Sequence, residues 1–195
     1  NPLVKVTIVP RGRSLGAAWY LPEERSITTT EQILDDMCSA LGGRAAEEIT
    51  FGKISTGALS DLEKVTKQAY AMVSIYGLNE RVGNISFYDP QGNNQFTKPY
   101  SDDTARIIDE EVSKLIESQY QRAIRILKDN EANLILLAEK LLEKEVIFKE
   151  DLVAIFGERQ WDEPIVAEKV IVEDAKIVDE TTTIAETTND ITENG

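Results

Sequence analysis

Carboxylate side chains are the groups of this 195-residue chain that could do chemistry, because it has no histidine and one cysteine, Cys38. The best placed is Asp61, which follows the turn-forming sequence Ser55-Thr56-Gly57-Ala58 and precedes an apolar pattern of helical period. Ser60 and Glu63 have the spacing of a capping box, which predicts that a helix begins here with Asp61 in its first turn. Asp61 then either complements the positive end of the helix dipole or coordinates a metal ion.

Two further carboxylates, Glu47 and Glu48, lie in the helical segment that precedes this turn. Paired carboxylates next to a metal site can orient its ligands through hydrogen bonds, without binding the metal themselves. The alternative is that both are solvated surface charges. Neither is predicted to be a direct metal ligand.

Four segments carry motifs, and the third of them is the one described above. They are Val6-Thr7-Ile8-Val9-Pro10-Arg11-Gly12, Leu41-Gly42-Gly43-Arg44-Ala45-Ala46-Glu47-Glu48-Ile49, Ser55-Thr56-Gly57-Ala58 with Asp61, and Ser101-Asp102-Asp103-Thr104-Ala105-Arg106-Ile107-Ile108-Asp109-Glu110-Glu111-Val112. In this order and approximate spacing they resemble the FtsH family of membrane-anchored, ATP-dependent zinc metalloproteases. The resemblance implies that Asp61 is the third, acidic zinc ligand. The family's His-Glu-x-x-His helix, which precedes the first segment in the family, does not occur in this chain. We therefore expect the later part of a peptidase domain.

The resemblance implies a parent protein that degrades unfolded or tagged proteins as a homo-hexamer at the inner (plasma) membrane, with this domain on the cytoplasmic side. ATP and magnesium would be used by a separate ATPase domain, since the chain has no Gly-x-x-x-x-Gly-Lys-Ser/Thr phosphate-binding loop. With one of three protein ligands present, the chain alone is expected to be inactive. The alternative is a helical interaction or assembly module without catalytic function, and the sequence upstream would separate the two.

Alternating side chains predict a β-hairpin over residues 1–22, with a turn near Arg11-Gly12 and an end at Pro22. An exposed strand of such a hairpin can bind an extended peptide by strand addition. By family similarity this is the substrate strand, with candidate residues Leu15, Gly16, Ala17, Ala18 and Trp19. The alternative is a hairpin that merely covers the helical core.

Residues 28–157 show helical periodicity, so the predicted fold is mainly α, with a small N-terminal hairpin and long antiparallel helices. Gly42-Gly43 interrupts the helical pattern between a helix over 30–41 and a shorter one over 44–49, and the pair predicts a C-cap, a kink or a close helix approach. A flexible loop is expected between Gly77 and Tyr100. Ser101 should then cap the longest helix, which is followed by an antiparallel partner and a last short helix over 149–156.

Composition limits the remaining classes of function. The net charge of −14 argues against nucleic-acid binding. No apolar run reaches the 18 or so residues of a membrane span, so the chain by itself is expected to be soluble, with membrane attachment only through other segments. Cys38 is predicted to be a thiol in the core. Residues 158–195 hold 11 acidic and 3 basic residues, a net charge of −8, which predicts a disordered acidic tail.

Overall fold

A small antiparallel sheet brings the two ends of the helical body together. In the computed structural model, which describes residues 3–10, 12, 15–21, 27–88 and 99–158, β1 spans Leu3–Thr7, β2 spans Ala17–Tyr20 and β3 spans Val146–Phe148. The strand order is β2-β1-β3, so β2 is an edge strand. The hairpin of β1 and β2 is as predicted, whereas sequence reasoning missed β3.

The first helix, α1, spans Thr30–Phe51. Thr29 begins it with a capping box, in which the Thr29 side chain accepts from the Gln32 N–H and the Gln32 side chain accepts from the Thr29 N–H. The predicted interruption at Gly42-Gly43 is wrong: α1 is continuous through both glycines. A Cβ at either position would meet no atom within 4 Å, so the glycines mark no close helix approach.

A short connection leads from α1 to the helix that carries Asp61. Gly52 ends α1 in the left-handed region, with φ 64°, and a single 3-10 turn over Thr56–Ala58 follows. The second helix, α2, spans Leu59–Ser74. The predicted capping box of Ser60 and Glu63 is wrong, because Ser60 already lies inside the helix and Glu63 pairs with Lys67 at 2.6 Å.

The longest helix, α3, spans Asp102–Asp129, and Ser101 caps it as predicted by accepting from the Thr104 N–H at 3.3 Å. Helices α4, over Glu131–Lys144, and α5, over Lys149–Phe156, complete the body on either side of β3. The mainly α fold with an N-terminal hairpin is therefore confirmed. Among the described helices, none is long and apolar enough to cross a membrane.

Helices α1, α2 and α3 enclose the main core, where apolar seams of all three meet. Its buried members are Ile33, Met37, Leu41, Val65, Ala69, Met72, Val73, Ile108 and Val112. A second cluster joins α1 to the later half of α3, and Cys38 is one of its buried members, which agrees with the prediction of a core thiol. Helix α4 contributes less to the core: Leu141 is its buried residue, and the neighbouring Leu142 is 76% exposed.

The predicted flexible loop is described only in part. Residues 89–98 lie outside the described residues, whereas the segment before them is tied to α3. The Asn79 amide donates to Glu111 at 2.9 Å, and Arg81 pairs with Glu110 at 2.7 Å and with Glu111 at 3.3 Å. Phe87 packs edge-on against Tyr100, with ring centroids 5.0 Å apart.

The chain divides into two units, residues 1–156 and 157–195. The predicted acidic tail falls in the second unit, nearly all of which lies outside the described residues. Its disorder stays a prediction.

Candidate active-site groove

A groove of about 810 Å³ separates the edge strand β2 from the first turns of α2, and one face of α1 forms its floor. We call it the α2 groove. Its lining comes from three elements and the residues beside them: Leu15, Gly16, Ala18 and Tyr20 at β2; Asp35, Asp36, Ser39, Ala40 and Gly43 on α1; and Gly57, Ser60, Asp61 and Lys64 at the start of α2. The lining is mainly polar because α1 turns its apolar seam to the helical core and its opposite face to the groove.

Asp61 is a partly buried carboxylate on the α2 wall of this groove. Among the described residues, none donates a hydrogen bond to its carboxylate, and no Lys or Arg of this part of the chain forms an ion pair with it. Of the other two carboxylates that line the groove, Asp35 pairs with Arg122 at 2.6 Å, whereas Asp36, like Asp61, has no such partner among the described residues. Within the described part of the chain, the carboxylate oxygen atoms of Asp61 are therefore free to serve as a metal ligand.

The predicted substrate strand faces the same groove in an alternating pattern. Gly16, Ala18 and Tyr20 line it at every second position, and Leu15 lines it from just before them, whereas Ala17 and Trp19 are not among its lining residues. Trp19 instead lies beside Lys5, whose ammonium is 5.0 Å from the indole centroid. The alternation follows from the strand itself, since successive side chains point to opposite faces of a sheet.

Gly16 marks a close approach between the two strands of the hairpin. A Cβ on Gly16 would lie 2.7 Å from the Thr7 carbonyl oxygen, a distance that real Cβ contacts do not show. Glycine at this position therefore lets the start of β2 stay next to β1 while it borders the groove.

Glu47 contacts the connection before α2. The Ser55 backbone N–H donates to Oε2 of Glu47 at 2.9 Å, and Oγ of Ser55 accepts from the Gly57 N–H at 3.2 Å. Interactions with the Ser55 side chain and then with its backbone N–H lower the pKa of Glu47, and the nearby Arg44 lowers it further. Glu47 is thus a charged acceptor for the turn that leads to Asp61.

Glu48 points to a different element. The Tyr120 hydroxyl on α3 donates to Oε2 of Glu48, which links α1 to α3. Burial, followed by this hydrogen bond, raises the pKa of Tyr120 to about 12. Whether either glutamate orients a metal ligand stays a prediction, but the two have separate partners.

Asp35 and Asp36 were not singled out by sequence reasoning, although both line the groove. The helical pattern does place them off the apolar seam that contains Ile33 and Met37. Nothing local to their segment, however, indicates that β2 and the start of α2 lie opposite them.

The described residues do not by themselves fit a zinc ion. No group of three or more His, Cys, Asp or Glu side chains in the described part of the chain is placed to hold a metal. Asp61 fits the role of one oxygen ligand, and a catalytic zinc site takes three protein ligands.

Comparison with known proteins identifies the family. The model of peptidase family M41 matches residues 1–155. An ATP-dependent zinc metalloprotease FtsH of Parabacteroides distasonis is 61% identical over 162 residues, which are 83% of this chain and 24% of the relative. An FtsH of Karelsulcia muelleri is 57% identical over 157 residues, 80% of this chain and 25% of the relative.

Similarity extends to a mitochondrial protein. The mitochondrial inner membrane m-AAA protease component AFG3L2 of Mus musculus is 49% identical over 187 residues, 95% of this chain and 23% of the relative. The chain thus spans about a quarter of the length of these relatives. Because the family model covers most of the chain and the aligned identity is high, this chain belongs to peptidase family M41, the family of the FtsH zinc metalloproteases.

Proposed function

We propose that this chain is the helical body of the peptidase domain of an ATP-dependent zinc metalloendopeptidase that degrades unfolded or tagged proteins. The observation that carries the proposal is the position of Asp61, a carboxylate with no partner among the described residues, on one wall of a groove whose other wall is an edge strand. Asp61 supplies the third, acidic zinc ligand. The relatives' names, which include both zinc and ATP, support the same assignment.

The substrate binds along β2 in this proposal. One side of β2 pairs with β1, and no strand of the described chain pairs with its other side. All four residues of β2 are exposed. An extended polypeptide can therefore add as the next strand, where backbone hydrogen bonds give affinity without demanding one sequence, as degradation of many proteins requires.

The chain's own residues have limited roles in the reaction. Zinc, when bound in such a site, polarises the scissile carbonyl and activates a water molecule. Asp61 offers an oxygen ligand from α2, while β2 orients the peptide backbone beside the groove. Since Asp61 is one ligand of three, the chain alone should bind zinc weakly and cleave neither peptides nor proteins.

The whole protein would hydrolyse ATP with magnesium in a separate domain and assemble as a homo-hexamer. We place it at the inner (plasma) membrane, with this domain on the cytoplasmic side and anchored through segments outside this chain. Support comes from the family to which the chain belongs.

A second candidate function is a non-catalytic helical assembly module. In this alternative, the longer protein would lack the two histidines of the family's zinc motif, as this chain does. An in-frame His-Glu-x-x-His helix encoded upstream, preceded by an ATPase domain, would exclude this alternative, and the absence of both would favour it.

Asp61→Asn in the longer protein tests the proposal. The change replaces a carboxylate by a near-isostere that binds zinc poorly, so zinc content and casein digestion should both be lost, while ATP hydrolysis and assembly remain. Glu63→Gln is the matched control, because Glu63 lies on the same helix, is exposed and pairs with Lys67. Full casein digestion by Asp61→Asn would remove Asp61 from the site.

A further inference from the structure

The first turn of α2, which carries Asp61, has no side-chain cap of its own. Its N-cap residue is Ala58, and no side chain accepts a hydrogen bond there. A helix N-terminus leaves several backbone N–H groups without partners and frays unless another contact holds it. Leu62 packs against the core from this turn, and its polar contacts come from the connection upstream of Leu59.

The connection that precedes α2 gains little from apolar packing. Phe51 and Ile54 are exposed, and Leu59 at the start of the helix is 74% exposed. Every residue from Gly52 to Gly57 is exposed as well. Since hydrophobic burial is small here, polar contacts decide the conformation of the connection.

Two hydrogen bonds tie this connection to the helix before it. The Gly52 N–H donates to the Glu48 carbonyl at 2.8 Å, but this bond only closes α1. The Ser55 N–H donates to the Glu47 carboxylate at 2.9 Å, immediately before the 3-10 turn over Thr56–Ala58. The Ser55 hydroxyl then accepts from the Gly57 N–H, and the turn continues directly into α2.

We propose that Glu47 is a positioning residue, whose carboxylate holds the Ser55 turn and through it the first turn of α2, so that Asp61 keeps its place on the groove wall. The proposal rests on the proposed function, in which Asp61 is a metal ligand. Glu47 does not contact Asp61 or the metal. It acts through the backbone of residues 55–58, in the place of the capping box that Ser60 and Glu63 do not form.

Amide hydrogen exchange in this chain tests the backbone part of the proposal, and it needs no zinc. Glu47→Ala should raise the exchange rate of the Ser55 N–H and of the first turn of α2 by about tenfold, because an ordinary hydrogen bond is worth about that factor. The rates at Val65 and beyond, in the buried core, should not change. Glu47→Gln keeps an acceptor oxygen and should restore most of the protection.

Glu63→Ala is the matched control for exchange. It removes an exposed carboxylate two residues from Asp61 whose ion pair is with Lys67 and not with residues 52–58, so the Ser55 rate should stay at its original value. Unchanged exchange in Glu47→Ala, or equal acceleration in Glu63→Ala, would overturn the proposal.

Zinc affinity of the longer protein tests the functional part. Glu47→Ala should weaken it by about tenfold, the lower end of what loss of an outer contact costs, whereas Glu47→Gln should bind nearly as the original. Faster exchange with unchanged zinc affinity in Glu47→Ala would show that Glu47 orders the turn but does not position Asp61. Unchanged affinity in Asp61→Asn would instead refute the proposed function, and the positioning role with it.

Discussion

The helical core and the α2 groove use different means to position their side chains. In the core, side chains such as Met37 and Ile108 are fully buried, and each is held by apolar contacts from three helices. In the groove, the position of Asp61 depends on the exposed connection before α2, which is held by single hydrogen bonds. Substitutions in the core should therefore change stability, whereas substitutions at the groove should change function at little cost in stability.

The largest effect is expected for Ile108→Ala. The substitution leaves a cavity at a 0% exposed site between α1, α2 and α3, so the free energy of unfolding should fall by about 2–5 kcal/mol. Urea denaturation measures the change. Ile135→Ala, at an exposed position of α4, should stay within about 0.5 kcal/mol. Equal losses in the two variants would show that the described core is not the stabilising one.

Gly16→Ala should have an intermediate effect, because Gly16 lines the groove but also lies against β1, outside the helical core. The new Cβ would clash with the Thr7 carbonyl oxygen, which should cost about 1–3 kcal/mol and displace the start of β2. Thermal unfolding tests stability, and casein digestion by the longer protein tests the groove.

Gly42→Ala should change the free energy of unfolding in the opposite direction. Gly42 lies inside α1 with open space around its Cβ direction, so alanine should stabilise by about 0.5–1 kcal/mol. A stabilised Gly16→Ala would contradict the close approach of β1 and β2.

Tyr120→Phe should have a smaller effect, about 0.5–1 kcal/mol, since it removes one hydrogen bond between α3 and Glu48 at the edge of the core. The pKa of Tyr120 is raised from 10.0 to about 12 in the folded state. The stabilisation from this group is therefore complete below pH 10 and is lost as the pH rises to about 12.

Between pH 10 and 12, the free energy of unfolding should depend less on pH in Tyr120→Phe than in the original chain. The Tyr70 hydroxyl donates to Asp109 and not to Glu48. Tyr70→Phe should therefore keep the part of the pH dependence of stability that Tyr120 causes. The same pH dependence in the original chain and in Tyr120→Phe would contradict the raised pKa.

The smallest change in stability is expected for Asp61→Asn, within about 0.5 kcal/mol, because the described chain places no partner on its carboxylate. Urea denaturation of this chain checks it. A large loss of stability would return Asp61 to a structural role at the helix start.

Local sequence patterns predicted most of the helical body. Apolar side chains at helical spacing indicated α2 and α3, and the Ser101 cap was read correctly because its hydrogen bond spans only three residues. The errors also arose locally. Gly42-Gly43 looked like an interruption, but packing of α1 against α2 and α3 outweighs the helix propensity of two glycines. The Ser60 capping box does not form, because the 3-10 turn that Ser55 begins continues into α2 and places Ser60 inside the helix.

The sequence by itself determined the family, the mainly helical class and the edge-strand candidate, because motifs and periodicity are properties of neighbouring residues. Tertiary structure alone decided that β3 pairs with β1, that Glu47 bonds Ser55 while Glu48 bonds Tyr120, and that Asp61 faces β2 across a groove. These contacts join residues far apart in the chain. Their geometry follows from how the helices pack and not from any local preference. The sequence therefore could not separate Asp35, which pairs with Arg122, from Asp61, which has no partner among the described residues.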